Sequence, residues 1–162
     1  MLQGHWQHDA GLGLDPDIWA DASMSWGIGI VVSDRWAAWQ LIEGWKCKDH
    51  DIGWEELIAL KLAILWVADQ GYTDCEVTIH SDNTRVIGTF NKGWFCNSLR
   101  DVLIHQIASI LVPFNMTILP TYVPSGTNRA DPVSHGVLGP QSLHLSCTFK
   151  LPQELVPFLS HV

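Results

Sequence analysis

Basic residues are scarce in this chain. Nine Lys and Arg stand against 17 Asp and Glu in 162 residues, a formal net charge of -8 at pH 7. A free-standing nucleic-acid binder is usually basic, because neutralising phosphates supplies most of its affinity. The deficit argues against strong autonomous nucleic-acid binding, but not against a site where divalent cations sit on clustered carboxylates and invert the local sign. Cysteine is sparse too: Cys47, Cys75, Cys96 and Cys147 form no CxxC pair, which fits reduced thiols in a cytosolic or nuclear protein. Cys47 and His50 make a CxxH without two further ligands at zinc spacing. No apolar run is long. The richest, Leu57 to Ala68, is broken by Lys61 and is too short to span a bilayer. The opening MLQGHWQHD has no basic stretch followed by an apolar one, so no signal peptide is expected. These shortages point to an intracellular, soluble protein without internal repeats.

Hydrophobic residues make up 47% of the chain and charged residues 16%, enough apolar material for one domain with an ordinary core. Residues 1–16, rich in Gly, His and Asp, read as a leader or linker. Three strands follow between Ile18 and Gln40, the middle one, SWGIGIVVS, with glycines that suit close neighbours. Trp54 to Gln70 reads as a helix closed by Gly71. CEVTIHS is a strand, DNTRVIGTFNKG a short helix, and NSLRDVLIHQIASILV a second helix stopped by Pro113. MTILPTYV is a further strand, PSGTN a loop and RADPVSHG a helical turn. The tail 137–162, with Pro140, Pro152 and Pro157, reads as extended. The pattern predicts a mixed α/β domain over 17–136 with a five-stranded sheet, the later strands parallel.

Four carboxylates sit awkwardly on these elements. At about 100° per residue, Ala59, Leu60, Ala63, Ile64 and Val67 all fall within about 80° of Glu56. Glu56 therefore lies on the apolar face, where a charge is costly unless paired or metal-bound. Glu55 lies near the edge of that face and suits the positive end of the helix dipole. Asp21 lies between Ala20 and Ala22 in a strand, a position that disfavours Asp, unless the strand begins only after it. Asp82 ends the strand 75–81, where ligands gather in open α/β sheets, or else caps the next helix. Asp131 precedes Pro132 and could equally be a helix cap.

The blocks ADAS, EELIAL, IHSDN and YVPSGTNRADPVSHG resemble, in order, those of the ribonuclease H domain, most closely the versions carried by retroelement polyproteins. The resemblance covers roughly Ile18 to Gly136. It implies a sheet of three antiparallel strands followed by two parallel ones, flanked by helices. It implies that Asp21, Glu56, Asp82 and Asp131 converge on one site holding two Mg²⁺ ions, or Mn²⁺ as a substitute, with Asp21 shared between them. Oxygen-only ligands suit both metals. The implied activity is endonucleolytic cleavage of the RNA strand of an RNA/DNA hybrid, in partnership with a reverse transcriptase domain of the same element. Ser23 and Asn83 fall where the family touches the hybrid, and Arg85, Lys92 and Asn128 are further substrate-binding candidates.

Three departures accompany the resemblance. The loop VPSGTN lacks the histidine that many cellular relatives carry before the last Asp. His135, four residues beyond Asp131 and on its face if a helix starts there, is the candidate substitute. No basic helix-loop grips the hybrid; Arg85, Lys92, Arg100 and Arg129 could line only a modest phosphate track. No polymerase is attached. An inactive RNase H-like module that serves as scaffold or positions substrate is therefore the alternative, and a DNA strand-transfer enzyme on the same superfold a third reading. Trp94 and Phe95 are expected to pack against the helix that follows them.

Overall fold

The computed structural model describes residues 13–46, 50–92 and 98–162, without side chains for 14, 89–92 and 98–101. Cys47, Trp94 and Phe95 lie outside the described residues, as does the Lys92 side chain. The alternating and apolar stretches form strands β1 (Gly13–Ala22), β2 (Gly27–Val32) and β3 (Arg35–Leu41). Helix α1 (Ile52–Asp69), strand β4 (Glu76–Ser81), helices α2 (Thr84–Lys92) and α3 (Ser98–Leu111), and strand β5 (Thr117–Tyr122) follow. A four-residue helix, α4 (Asp131–Ser134), and a short strand, β6 (Leu159–His161), complete the fold.

The strands make one mixed sheet in the order β5-β4-β1-β2-β3-β6. β1, β2 and β3 are joined antiparallel, and β4 runs parallel to both β1 and β5. The strand count corrects the expected five to six. β6 pairs antiparallel with β3, Leu41 opposite Leu159 and Trp39 opposite His161. Its three residues are too few to show a period of two, and Pro157 beside them reads as a breaker. β1 also begins earlier than expected, at Gly13, pairing with Glu76 of β4 before its register shifts.

Asp51 caps α1, its carboxylate accepting the Trp54 N–H at 2.9 Å. The helix is then buried almost all round, which a one-sided amphipathic reading does not anticipate. Ile18, Ile28, Ile30, Ile79, Leu57, Leu60, Ile64 and Ile107 form the main core between the sheet and the α1 and α3 helices. Lys61, the charge that breaks the apolar run of this helix, is 3% exposed. Its Nζ donates to Gln106 Oε1 at 2.6 Å and to Glu154 Oε1 at 2.9 Å. The reason is the tail: Leu145, Leu155 and Leu159 enter the same core.

On the opposite face of the sheet, Val31, Trp36 and Ala38 pack against Ala130 and Val133. Gly29 of β2 makes this approach possible. A Cβ there would stand 2.7 Å from Ser134 N, 2.8 Å from Val133 Cβ and 2.9 Å from Ala130 O. The tail is tied to β3 by Trp36 Nε1 donating to Pro140 O (2.9 Å), Leu145 N to Trp36 O (2.6 Å), and Val162 N to Ala38 O (3.0 Å).

Candidate active site

Alternation along β1 sets the first residue. Ile18, Ala20 and Ala22 point into the main core, while Trp19 packs against the α4 side, so Asp21 faces that side too. It lies within the strand, opposite Gly29, and is 3% exposed. Ser134 Oγ donates to Asp21 Oδ2 at 2.6 Å. This bond joins β1 to α4 and with it to Asp131, three residues back along the chain. Ser134 is itself fully buried.

Two groups of ligand atoms meet at Asp21. Carboxylate oxygens of Asp21, Glu56 and Asp82 lie within 4.8 Å of one another, and so do ligand atoms of Asp21, Asp131 and His135. The four carboxylates singled out in the sequence are thus brought together from β1, α1, the end of β4 and the start of α4. Asp82 is not the cap of α2: Asn83 Oδ1 accepts the Val86 N–H at 2.8 Å. Nor does Asp131 cap α4, which has Ala130 at that position and no side-chain cap. His135 Nδ1 lies 2.8 Å from Asp131 O and 3.8 Å from Asp131 Oδ1, and its ring is half exposed at the rim.

Burial and mutual repulsion act strongly on these acids. Burial, opposed by the Ser134 hydroxyl and reinforced by the charges of Asp82 and Asp131, raises the Asp21 carboxyl from 3.8 to about 7. Burial followed by the charges of Asp21, Asp82 and Glu55 raises Glu56 from 4.5 to about 9, against a weaker opposing bond from Asn83. Such values mark groups whose ionised form lacks an offsetting positive charge. Oxygen donors crowded on one shared carboxylate fit a small hard cation of the Mg²⁺ or Mn²⁺ kind.

The remaining predicted contacts are placed less simply. Asn128 is 3% exposed. Its amide donates to Ala20 O (3.2 Å) and accepts from Ala130 N (3.0 Å), pinning the loop before Asp131 onto β1. Ser23 is buried, its Oγ 2.8 Å from Ser25 Oγ. Arg85 is exposed on α2. Arg129 donates to Asp17 Oδ2 at 3.0 Å and sits 6.0 Å over the Trp19 ring, which stacks on His80 at 4.3 Å.

Two residues of the site escape sequence reasoning. Ser134 has a signal only in hindsight, three residues after Asp131 on one helical turn. Glu55, read as a dipole-favoured acid near the edge of the helix face, is instead completely buried, and neither carboxylate oxygen has a hydrogen-bond partner. Burial, then the charge of Asp21, pushes it from 4.5 to about 8. The Ser23 backbone works against this shift, but its N–H is already donated to Gly27 O at 2.8 Å.

No protein-family model matches the chain, and no curated protein matches it in sequence. Solved structures do match in shape. RNase H1 from the halophilic archaeon Halobacterium salinarum aligns over 78% of this chain and 97% of its own, with a TM-score of 0.52 and 17% identity. The N-terminal RNase H domain of a Mycobacterium tuberculosis protein, solved as a fusion with maltose-binding protein, aligns over 78% and 94%, with a TM-score of 0.54 and 17% identity. At that identity the likeness speaks for architecture: the chain has an RNase H-like fold.

Proposed function

We propose that this chain is a metal-dependent endoribonuclease that cleaves the RNA strand of RNA/DNA hybrids, of the kind carried by retroelements beside a reverse transcriptase. The observation that carries the reading is the convergence of Asp21, Glu56, Asp82 and Asp131, from four separate elements, on one shared carboxylate. Asp21, Glu56 and Asp82 would hold one divalent ion, and Asp21 with Asp131 a second. When bound, the pair supplies an activated water and stabilises the leaving oxygen of a phosphodiester. The protein's own part is positional. Asn128 and Ser134 fix the α4 turn against β1, and Gly29 lets it approach. Burial of Asp21 and Glu56 keeps bulk water from competing for their oxygens. His135, at the exposed rim, would stand in for the histidine that helps product release in cellular relatives.

One observation favours the alternative, a non-catalytic module of the same fold. Asn83 caps a helix, Asn128 is spent on backbone, and Arg129 is engaged by Asp17, so several groups expected to grip a hybrid are already occupied. Cleavage of a labelled RNA/DNA hybrid by the purified chain in Mg²⁺, Mn²⁺ or chelator decides, with Asp82→Asn as control. RNA-strand cutting that needs metal and disappears in the control is the expected result. No cutting by folded protein, alone or with a reverse transcriptase domain added, sinks the nuclease reading.

A further inference from the structure

We infer that Glu55 is a fifth carboxylate of the acidic centre, accepting hydrogen bonds from the water shell of a divalent cation held by Asp21 and Glu56. This rests on the cation site proposed above and adds a residue that the sequence resemblance does not supply. Glu55 lies in the first turn of α1, beside Glu56 in sequence. A favourable interaction with the helix dipole needs only a nearby negative charge, and Glu55 could provide that from the surface. Instead it is 0% exposed, with both oxygens unpartnered.

A buried carboxylate without hydrogen bonds is costly, and native structures rarely leave one orphaned. Among the described residues no basic side chain pairs with it. Lys61, the buried cation of the same helix, is committed to Gln106 and Glu154. The charge that acts on Glu55 is the negative one of Asp21. A group so placed gains from a positive ion or from waters polarised by one. Outer carboxylates around a metal commonly act in this way, accepting hydrogen bonds from the inner ligands. The backbone of Ser23, the other group near Glu55, already makes its own bond. The buried oxygens of Glu55 are thus left without a hydrogen-bond partner, next in sequence to Glu56.

The test is ion binding, not turnover. Chelator-stripped wild type, Glu55→Gln and Asp82→Asn are titrated with MnCl₂ and MgCl₂ by calorimetry, and their metal-free melting temperatures are compared. Glu55→Gln is expected to weaken Mn²⁺ binding by about tenfold or more, the usual loss for an outer-shell partner, while its metal-free melting temperature stays at or above that of wild type. Glu55→Leu guards against a folding artefact, since it removes the buried polar atoms altogether and is expected to show the same divergence. If Glu55→Gln binds ions as wild type does while Asp82→Asn does not, the inference fails and the cation centre stands. If wild type binds no divalent ion, both fail together.

Discussion

At the scale of single residues, the centre is a store of unfavourable charge. Asp21, Glu55 and Glu56 stand at about 7, 8 and 9 against ordinary values of 3.8 and 4.5. Unfolding returns them to the ordinary range, so above roughly pH 4 and up to about pH 9 the native state binds more protons than the unfolded one. Stability linked to these acids is therefore full below the unfolded values and drains away as pH rises through the folded ones. In chelator, the melting temperature is expected to fall progressively between about pH 5 and pH 9. Saturating Mg²⁺ should flatten that slope, because bound cations favour the ionised forms and displace protons. A metal-free melting temperature that is flat or rising across this window would contradict the assignment. The same residues show what a sequence displays and what it hides. Glu56 betrays itself by helical period and Asp21 by its apolar neighbours. Glu55 does not, because no spacing within α1 records the contacts that bury it. Ser134 stays hidden for the same reason: its partner is 113 residues away.

At the scale of elements, the decisive contact is α4 on the sheet. Four residues cannot hold a helix in place by their own hydrogen bonds, so the turn depends on Ala130 and Val133 packing over Val31 and Ala38. Gly29 sets the distance. In Gly29→Ala, the added methyl would meet backbone and Cβ atoms of α4 below 3.0 Å, and these cannot swing aside as a flexible side-chain end could. The expected cost is about 1–3 kcal/mol, as for other overpacked sites. Loss of the Ser134 to Asp21 bond should accompany it and weaken ion binding more than the stability loss alone predicts. Chemical denaturation and ion titration of the variant check both. Wild-type affinity in a folded Gly29→Ala protein would show that α4 is not held as tightly as the geometry requires. The glycines of SWGIGIVVS were legible as a sign of close neighbours. Which neighbour came close was not, because α4 arrives from a hundred residues downstream. Helices α1 and α3, with strands β2 to β5, follow from period and breakers. β6 does not, since three residues beside a proline carry no pattern.

At the scale of the whole molecule, the last 26 residues bind back onto the body. Leu145, Leu155 and Leu159 are almost fully buried. At about 1.5–3 kcal/mol for each such side chain, their burial is comparable to the net stability of a typical domain, about 5–15 kcal/mol. The tail is pinned by Glu154 on Lys61, and the two ends of that bridge differ: Lys61 is 4% exposed and Glu154 51%. Removing the exposed end strands the buried one. Glu154→Ala is expected to destabilise the fold by about 1–3 kcal/mol, the scale of a lost hydrogen bond to a charged group, with ion binding unchanged. A change below 0.5 kcal/mol in urea denaturation would show that Gln106 alone suffices for Lys61. The closing strand also bears on how copies of the chain meet one another. Among the described residues the sheet has two borders, β5 and β6. Unpaired borders are templates for runaway stacking between molecules. Here one carries Pro120 in its middle, which removes an N–H from any ladder a neighbour could extend. The other is only three residues long. Both rims of the sheet are thus poor seeds for fibres, and an acidic surface adds mutual repulsion between copies.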